Sequence, residues 1–178
     1  VFQNPDDQIF KYNVMDEIMF GPMNIGMDPK RAEEEARRAL ELTGLTGKEK
    51  ENPYDLELYE RKMTAIASVL AMDTDVLILD EPTNGLDPSG IHEIRNLVKS
   101  LPTLYDCTVL ISSHMLSEIE LMANDIGILN HGRLLFEGSL DELRRNALQA
   151  GFAADNLEEM FLSMIDNDNT TRKQRAKL

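Results

Sequence analysis

Two adjacent acidic residues near the middle of the chain have the types and spacing to do chemistry. Asp80 and Glu81 directly follow the apolar run Val76–Leu79. A continuous apolar run of this length, bounded by polar residues, is typical of a strand buried on both faces. Ligands of α/β sheets bind at the carboxyl ends of the strands, where these carboxylates would lie. Adjacent strand residues point in opposite directions, so one acid can hold Mg²⁺ while the other acts as a general base on water.

The residues around the acid pair predict an α/β fold. Strand-like and helical patterns alternate after residue 73, which indicates a largely parallel sheet flanked by helices. Before residue 73 the apolar spacing is mostly helical, which predicts a helical subdomain inserted into the core. The predicted strands are residues 76–79, 108–113 and 126–129, with a hairpin through His131-Gly132 into Arg133–Glu137, and the main predicted helices are Pro29–Leu45, Leu58–Met72, Pro88–Leu101, Leu116–Ala123, Leu140–Gln149 and Asn156–Ile165.

The composition excludes several classes of protein. The 178 residues include 18 Lys plus Arg and 32 Asp plus Glu, for a formal net charge of −14. This acidity argues against a nucleic-acid partner, because binding to phosphate backbones needs a basic face. The single cysteine, Cys107, rules out an intramolecular disulfide and an all-cysteine metal cluster. The apolar runs are much shorter than the roughly 18–20 residues of a membrane span.

The segment that follows the acid pair carries a specific motif. A solvent-exposed acidic strand end is the alternative, and Pro82 with the turn through Gly85 argues against it. Asp80-Glu81-Pro82-Thr83 followed by Leu86-Asp87-Pro88 resembles the Walker B motif and D-loop of the ATP-binding-cassette (ABC) ATPases. Phe2-Gln3-Asn4-Pro5 resembles their Q-loop, and Ile111-Ser112-Ser113-His114 resembles their switch-histidine loop. Alone, Gln3 and His114 would be ordinary surface residues, but this order and spacing favour the functional interpretation.

The resemblance implies a P-loop NTPase fold of the ABC type, with ATP and Mg²⁺ as cofactors. The reaction would be phosphoryl transfer to water, in which the protein mainly positions groups and neutralises charge. Asp80 would order Mg²⁺, directly or through water, and Glu81 would polarise the attacking water. His114 would contact the γ-phosphate, and Gln3 would approach the metal and the nucleotide. Asp87 would link the two nucleotide sites of a head-to-tail dimer with a second nucleotide-binding subunit.

One element of the family has no match in these 178 residues. The phosphate loop Gly-x-x-x-x-Gly-Lys-[Ser/Thr] holds the phosphates with its backbone amides and its lysine. In the family this loop and the aromatic residue that stacks on adenine precede the Q-loop, so the chain, which begins with Val1, is predicted to be truncated at its N-terminus. ATP affinity is then expected to be greatly reduced, and apolar surface is expected to be exposed unless a partner covers it.

The signature motif of the family is altered. Where the family has Leu-Ser-Gly-Gly-Gln, this chain has Leu56 followed by Glu57, Leu58, Tyr59 and Glu60. In the family the serine hydroxyl and glycine amides bind the γ-phosphate of the partner's ATP at the dimer interface. Glu57 places a carboxylate there, and Tyr59 adds a side chain where close backbone approach favours glycine. We therefore predict that this surface cannot complete a partner's site; the alternative, compatible with it, is that Glu57 and Tyr59 cap a helix.

The resemblance to subfamilies is divided. Residues 1 to about 81 resemble the ATPases of energy-coupling-factor importers through Phe2–Phe10 and Phe20-Gly21-Pro22. From about Asp80 to Asp168 the chain resembles the ATPases of bacitracin- or lantibiotic-type exporters, through Asn84–Ile91 and His131–Gly138. A mosaic gene, a recombined fragment and an assembly artefact would each produce this pattern.

The sequence thus predicts the ATP-binding subunit of an ABC transporter, peripheral on the cytoplasmic face of the membrane and bound to a transmembrane subunit. The intact family hydrolyses ATP, and this chain by itself is expected to be inactive. The main alternative is a non-hydrolysing interaction module that keeps the docking surface for the transmembrane partner. The predicted parts are a Q-loop strand end (1–3), the helical subdomain (4–72), the Walker B, D-loop and H-loop part of the core (73–139), C-terminal helices (140–165) and a flexible tail (166–178).

Overall fold

A computed structural model describes residues 1–149 and 157–175, with side chains up to residue 170. The chain divides into two compact units, Val1–His114 and Met115–Leu178. The first unit contains both the helical part and the acid pair. The two units are described separately below.

Three helices form most of the first 70 residues of the first unit: α1 (Val14–Asn24), α2 (Pro29–Leu42) and α3 (Leu58–Leu70). Asn13 caps α1 by accepting from the Asp16 amide, and Asp28 caps α2 in the same way. The proline that follows Asp28 suits the first turn of a helix, because its missing N–H needs no partner there. The helices bury their apolar faces around Ile18, Leu40, Met63 and Ile66. The helical character predicted for this region is confirmed.

The remainder of the first unit is a strand–helix–strand arrangement. Strand β1 (Val76–Asp80) pairs in parallel with β2 (Thr108–Ser112), and α4 (Pro88–Tyr105) connects them. The register places Asp80 opposite Ser112, so the carboxyl ends of both strands meet at one edge. Val1 lies along the other side of β1, because its amino group donates to the Ile78 carbonyl at 2.7 Å and its carbonyl accepts from the Asp80 amide at 3.0 Å.

The prediction that β1 is buried on both faces is wrong for the described residues. Leu77 and Leu79 are buried, whereas Val76 and Ile78 are 54% and 56% exposed. Leu110 on β2 is also exposed. Burial alternates because successive side chains point to opposite faces and, in the part of the chain that the structure describes, only one of those faces is covered. This exposed apolar face agrees with the sequence-based expectation of uncovered apolar surface.

The second unit contains a β-hairpin and helices. Its elements are α5 (Leu116–Met122), β3 (Asp125–Asn130), β4 (Arg133–Ser139), α6 (Leu140–Gln149) and α7 (Leu157–Arg175). Strands β3 and β4 pair antiparallel through His131 and Gly132, which both have positive φ, as tight hairpin turns require. The predicted hairpin is confirmed, but β3 belongs to this pair and does not extend the β1–β2 ladder.

Helix α7 continues to Arg175, whereas the sequence predicts that helical structure ends at 165. The polar residues beyond 165 include Asp168, whose buried carboxylate accepts from Asn130 Nδ2 at 2.9 Å and pairs with Arg133 Nη1 at 3.3 Å. These contacts fasten α7 to the hairpin. Residues 176–178 of the predicted tail lie outside the described residues. No helix in the described ranges, 1–149 and 157–175, has the length and apolar character for crossing a bilayer.

Candidate functional site

The acid pair lies where β1 ends. Asp80 is the last residue of the strand, and Glu81 leaves it with a left-handed backbone, at φ 45°. This conformation is uncommon for residues other than glycine and is found where the surrounding structure enforces it. The two carboxylates have different partners, Ser112 for Asp80 and His114 for Glu81. The different roles predicted for the two acids, one holding Mg²⁺ and one acting as general base, stay a prediction.

Contacts at both its main chain and its side chain hold Glu81. Its amide donates to the Ser112 carbonyl at 3.0 Å, and its own carbonyl accepts from Lys62 Nζ at 3.3 Å. Its carboxylate lies 2.8 Å from Nδ1 of His114. The carboxylate is largely sheltered, at 18% exposure, whereas the His114 side chain is 67% exposed. The Glu81 carboxylate is therefore fixed in place, while the imidazole that holds it lies at the surface. A fixed carboxylate next to solvent has the geometry needed to accept a proton from water as a general base.

Asp80 has a different neighbour. Its Oδ1 accepts from the Ser112 hydroxyl at 2.5 Å, across the β1–β2 ladder. A carboxylate and a hydroxyl are oxygen donors of the kind that Mg²⁺ prefers, and Mg²⁺ is usually held by one or two carboxylates together with waters and phosphates. Among the residues that the structure describes, no three His, Cys, Asp or Glu side chains form a group that could hold a metal ion. The Asp80 carboxylate and the Ser112 hydroxyl are of the type that Mg²⁺ accepts as ligands.

Gln3 is joined to this site through its main chain. The side chain is on the surface, while its carbonyl accepts from Lys62 Nζ at 3.1 Å. The same ammonium group donates to the Glu81 carbonyl. Lys62 thus bridges the backbones of the two residues. The structure brings Gln3, Asp80, Glu81 and His114 to the same edge of the sheet.

Lys62 is the member of this site that sequence reasoning missed. Its side chain is almost fully buried, and that burial lowers the pKa of its ammonium group, while the neighbouring Glu81 carboxylate opposes this effect. One signal in the sequence could have identified it. Lys62 lies four residues after Leu58 and four before Ile66, so helical spacing places it within the apolar stripe of α3.

The altered signature residues form the first turn of α3 and are engaged within the chain. The Glu57 amide donates to Glu60 Oε2 at 3.3 Å, and Glu60 pairs with Lys48. The hydrogen bond from Lys48 lowers the pKa of Glu60. Tyr59 is half-buried beside α4: burial strongly raises the pKa of its phenol, and a hydrogen bond with Glu93 adds to this. These contacts are those expected of a helix start, and the role of Glu57, Tyr59 and Glu60 at a dimer interface stays a prediction.

Asp87 caps helix α4. Its Oδ1 accepts from the Gly90 amide at 2.9 Å, and Pro88 occupies the first helical position. A Cβ atom at Gly90 would lie 3.1 Å from that same carboxylate oxygen and 3.3 Å from the Tyr59 ring. The turn between the acid pair and α4 is therefore closely packed. A further role for Asp87 between two subunits stays a prediction.

The fold and site together define a class of protein. A parallel strand pair with two acids and a histidine at its carboxyl edge is the arrangement expected at the ligand-binding edge of an α/β P-loop NTPase fold. A family model described as "AAA domain, putative AbiEii toxin, Type IV TA system" matches residues 11–120, which is more than half of the chain. The chain belongs to this AAA domain family.

Comparison with curated relatives identifies a narrower group of similar proteins within the P-loop ATPases. It is 42% identical over 143 residues to the energy-coupling factor transporter ATP-binding protein EcfA of Methanoculleus marisnigri, a match covering 80% of this chain and 52% of the relative. It is also 42% identical over 147 residues to EcfA of Methanothermobacter thermautotrophicus, covering 83% and 47%. The chain is thus homologous to ABC transporter ATP-binding proteins, as predicted. It spans about half the length of these relatives.

A solved structure of an ABC transporter protein also resembles this chain. The cbiO1 protein of Clostridium perfringens, part of the ABC transporter complex cbiONQ, matches with a TM-score of 0.73 and 31% identity, over 84% of this chain and 62% of that one. The predicted α/β fold of the ABC ATPase type is confirmed. The alignments with energy-coupling-factor proteins are longer than residues 1–81, so this similarity continues past the Walker B segment. The likeness of the second half to exporter ATPases stays a prediction.

Proposed function

We propose that the chain is part of the nucleotide-binding subunit of an ABC transporter and that Asp80, Glu81 and His114 serve ATP hydrolysis there. The observation that carries the proposal is the 2.8 Å contact between Glu81 Oε2 and His114 Nδ1 at the edge where Asp80 also lies. The homology to transporter ATP-binding proteins supports the same function. Gln3, whose main chain is tied to that of Glu81, would report nucleotide occupancy to the membrane partner.

In this mechanism the chain's own residues mainly orient a water molecule and hold charge. The Glu81 carboxylate is the general base, and His114 fixes its orientation from the solvent side. Asp80 and Ser112 would hold Mg²⁺, which supplies charge neutralisation on the phosphates when bound. Because the Glu81 backbone is held on both its amide and its carbonyl, little reorganisation is needed when a substrate arrives.

The partners follow from the same proposal. A transmembrane subunit would dock near the N-terminal helices, where Phe10, Tyr12 and Met23 are exposed. Large apolar side chains that remain exposed in this region are available for contact with another protein. The protein would then work at the cytoplasmic face of the membrane, as a head-to-tail pair with a second nucleotide-binding subunit.

A second candidate is a non-hydrolysing interaction module. Two observations favour it for these 178 residues: they contain no phosphate loop, and Glu57 stands at the serine position of the signature motif. The first means that tight ATP binding by this chain requires a phosphate loop from another segment or partner. The second places a negative charge where a neighbouring subunit's γ-phosphate would lie.

Nucleotide binding and phosphate release distinguish the two candidates. We define the extended protein as this chain joined at its N-terminus to a phosphate-loop segment of the family. The chain and the extended protein are each titrated with Mg²⁺-ATP, and released phosphate is measured. The proposal expects turnover in the extended protein that Glu81→Gln abolishes and that Glu34→Gln, on the exposed side of α2, leaves unchanged. A folded extended protein that binds no ATP at millimolar concentration would support the module instead.

A further inference from the structure

We propose that Lys62 is a positioning residue that fixes the main chains of Gln3 and Glu81 relative to each other, so that both move with helix α3. The relevance of this link to catalysis rests on the proposed function, whereas the link itself is inferred from the hydrogen bonds of Lys62. Nothing in the family motifs assigns a role to this position. Gln3, Lys62 and Glu81 all lie in the first unit.

The first step is the environment of the ammonium group. Lys62 lies in α3 with 6% of its surface exposed, and its Nζ donates to the carbonyls of Gln3 at 3.1 Å and Glu81 at 3.3 Å. Burying a charged group costs free energy unless hydrogen bonds replace its water. An ammonium has three donors and no acceptor, so main-chain carbonyls are suitable replacements. The two carbonyls therefore replace the water that the buried ammonium group would otherwise contact.

The second step concerns the Glu81 side of the bridge. The Glu81 carbonyl accepts from both Lys62 Nζ and the Asn84 amide, the latter at 3.1 Å. This pair of donors closes the turn that begins at the left-handed Glu81 residue. Since the direction of the side chain follows from the backbone conformation, the bond from Lys62 helps to aim the carboxylate at His114.

The third step concerns the Gln3 side. We call residues Gln3–Gln8 the Gln3 loop. It docks on α3 at further points: Asp6 pairs with Arg61 at 3.2 Å, and Gln8 Nε2 donates to the Ala65 carbonyl at 2.8 Å. These contacts join only the Gln3 loop to α3, whereas Lys62 joins both the Gln3 loop and Glu81 to that helix. Lys62 is therefore the described contact through which a displacement of α3 reaches both parts of the site.

The consequence is a mechanical link. Helix α3 begins at the altered signature segment, Glu57–Glu60, and one turn later presents Lys62 to the Gln3 loop and to the general base. A change at the start of α3, such as contact with a second subunit, would shift Gln3 and Glu81 together.

Amide hydrogen exchange on the 178-residue chain tests this link without nucleotide. Two groups of amides report on it: Glu81 and Asn84 on one side, and Gln8 and Ile9 on the other. In Lys62→Met, which keeps an unbranched apolar stem but ends one atom earlier and has no ammonium group, we expect exchange in both groups to accelerate by about tenfold or more, the effect of losing a charged hydrogen bond. Lys62→Arg keeps the charge and a donor fork and should stay within about threefold of the unmodified chain.

Two matched variants serve as controls. Gln8→Ala removes another anchor of the Gln3 loop and should accelerate Gln8 and Ile9 only. Lys99→Met removes an exposed lysine from α4 and should change neither group. In Lys62→Met the imidazole ¹⁵N signals of His114 should also shift, because the Glu81 carboxylate moves. In Gln8→Ala they should not.

The outcomes are decisive in both directions. Acceleration of both groups in Lys62→Met, with rescue by arginine, supports the proposal; acceleration of one group or none overturns it. If Lys62→Met does not fold, the unmodified chain still provides the test, through scalar coupling between the Lys62 ¹⁵Nζ and the carbonyl carbons of Gln3 and Glu81. Absence of either coupling overturns the proposal. Failure of ATP binding would count against the proposed function and leave this result unchanged.

Discussion

His114 Nδ1 lies 2.8 Å from Glu81 Oε2, although the two residues are 33 positions apart in the chain. The contact exists because β1 and β2 run in parallel and end at the same edge. A carboxylate held by a histidine in this way cannot turn freely, and under the proposed function its other oxygen would accept the proton of the attacking water.

The first prediction concerns this pair in the extended protein. Glu81→Gln should lower the turnover number by about 10²–10⁴-fold, the usual contribution of a general base. His114→Ala should also lower it, because the carboxylate loses the group that orients it. Phosphate release at saturating Mg²⁺-ATP measures both effects. His92→Ala, at an exposed position on α4, is the control. Unchanged turnover in Glu81→Gln would show that another group activates the water.

The second prediction concerns the two faces of β1. Leu77 is buried, and truncation of a buried leucine to alanine usually costs about 2–5 kcal/mol in the free energy of unfolding. Ile78 is 56% exposed, so Ile78→Ala should cost about 1 kcal/mol or less. Urea denaturation of the two variants measures the difference. Equal losses would mean that the second face of β1 is covered in solution, for instance by another copy of the chain.

The chemistry-bearing residues were predictable because strand ends and turn formers mark them in the sequence. Asp80 and Glu81 follow an apolar run, and His114 follows the next strand, so a parallel sheet must bring them to one edge. The hairpin at His131-Gly132 was predictable for a similar reason, since its turn residues must have positive φ.

Three features could not be predicted from the sequence, because they depend on contacts between segments that are far apart in the chain. An apolar run is consistent with a strand covered on one face or on two, so Val76 and Ile78 could not be assigned from pattern alone. Asp168 belongs to a polar stretch that gives no helical signal of its own, and its partners lie on the hairpin. Lys62 is charged, and charged residues are ordinarily assigned to the surface. In each case tertiary packing overrides the local preference.

The third prediction concerns the signature segment in the extended protein. The Glu57 carboxylate would repel the γ-phosphate of an ATP bound to the partner subunit. Two like charges about 4 Å apart repel by roughly 4 kcal/mol at an effective dielectric constant near 20, and the solvent around the exposed Glu57 side chain reduces this energy. Glu57→Ser should therefore raise turnover by about tenfold, which corresponds to 1.4 kcal/mol. Tyr59→Gly should add to the effect by allowing close backbone approach. Phosphate release is the measurement, and Glu34→Ser on α2 is the control. No gain from the double variant would reject the idea that these residues block a partner's site.

The fourth prediction concerns the pH dependence of stability at Tyr59. Burial raises the pKa of its phenol well above its usual value, and the hydrogen bond with Glu93 acts in the same direction. In the unfolded chain a tyrosine loses its proton near pH 10, whereas the folded chain retains that of Tyr59. Above about pH 10 the folded state therefore binds more protons than the unfolded state, and the stability provided by Tyr59 is lost as the pH rises toward the raised pKa.

Urea denaturation between about pH 9 and 11 checks this sign. The unmodified chain should lose stability across this range, and Tyr59→Phe should lose less, because it has no proton to retain. The smaller loss would not be zero, since burial also raises the pKa of Tyr105. Tyr12→Phe, at a side chain that is 87% exposed, should behave like the unmodified chain. If Tyr59→Phe and Tyr12→Phe gave the same pH dependence, Tyr59 would not be packed against α4, and the signature segment would be free to contact another subunit.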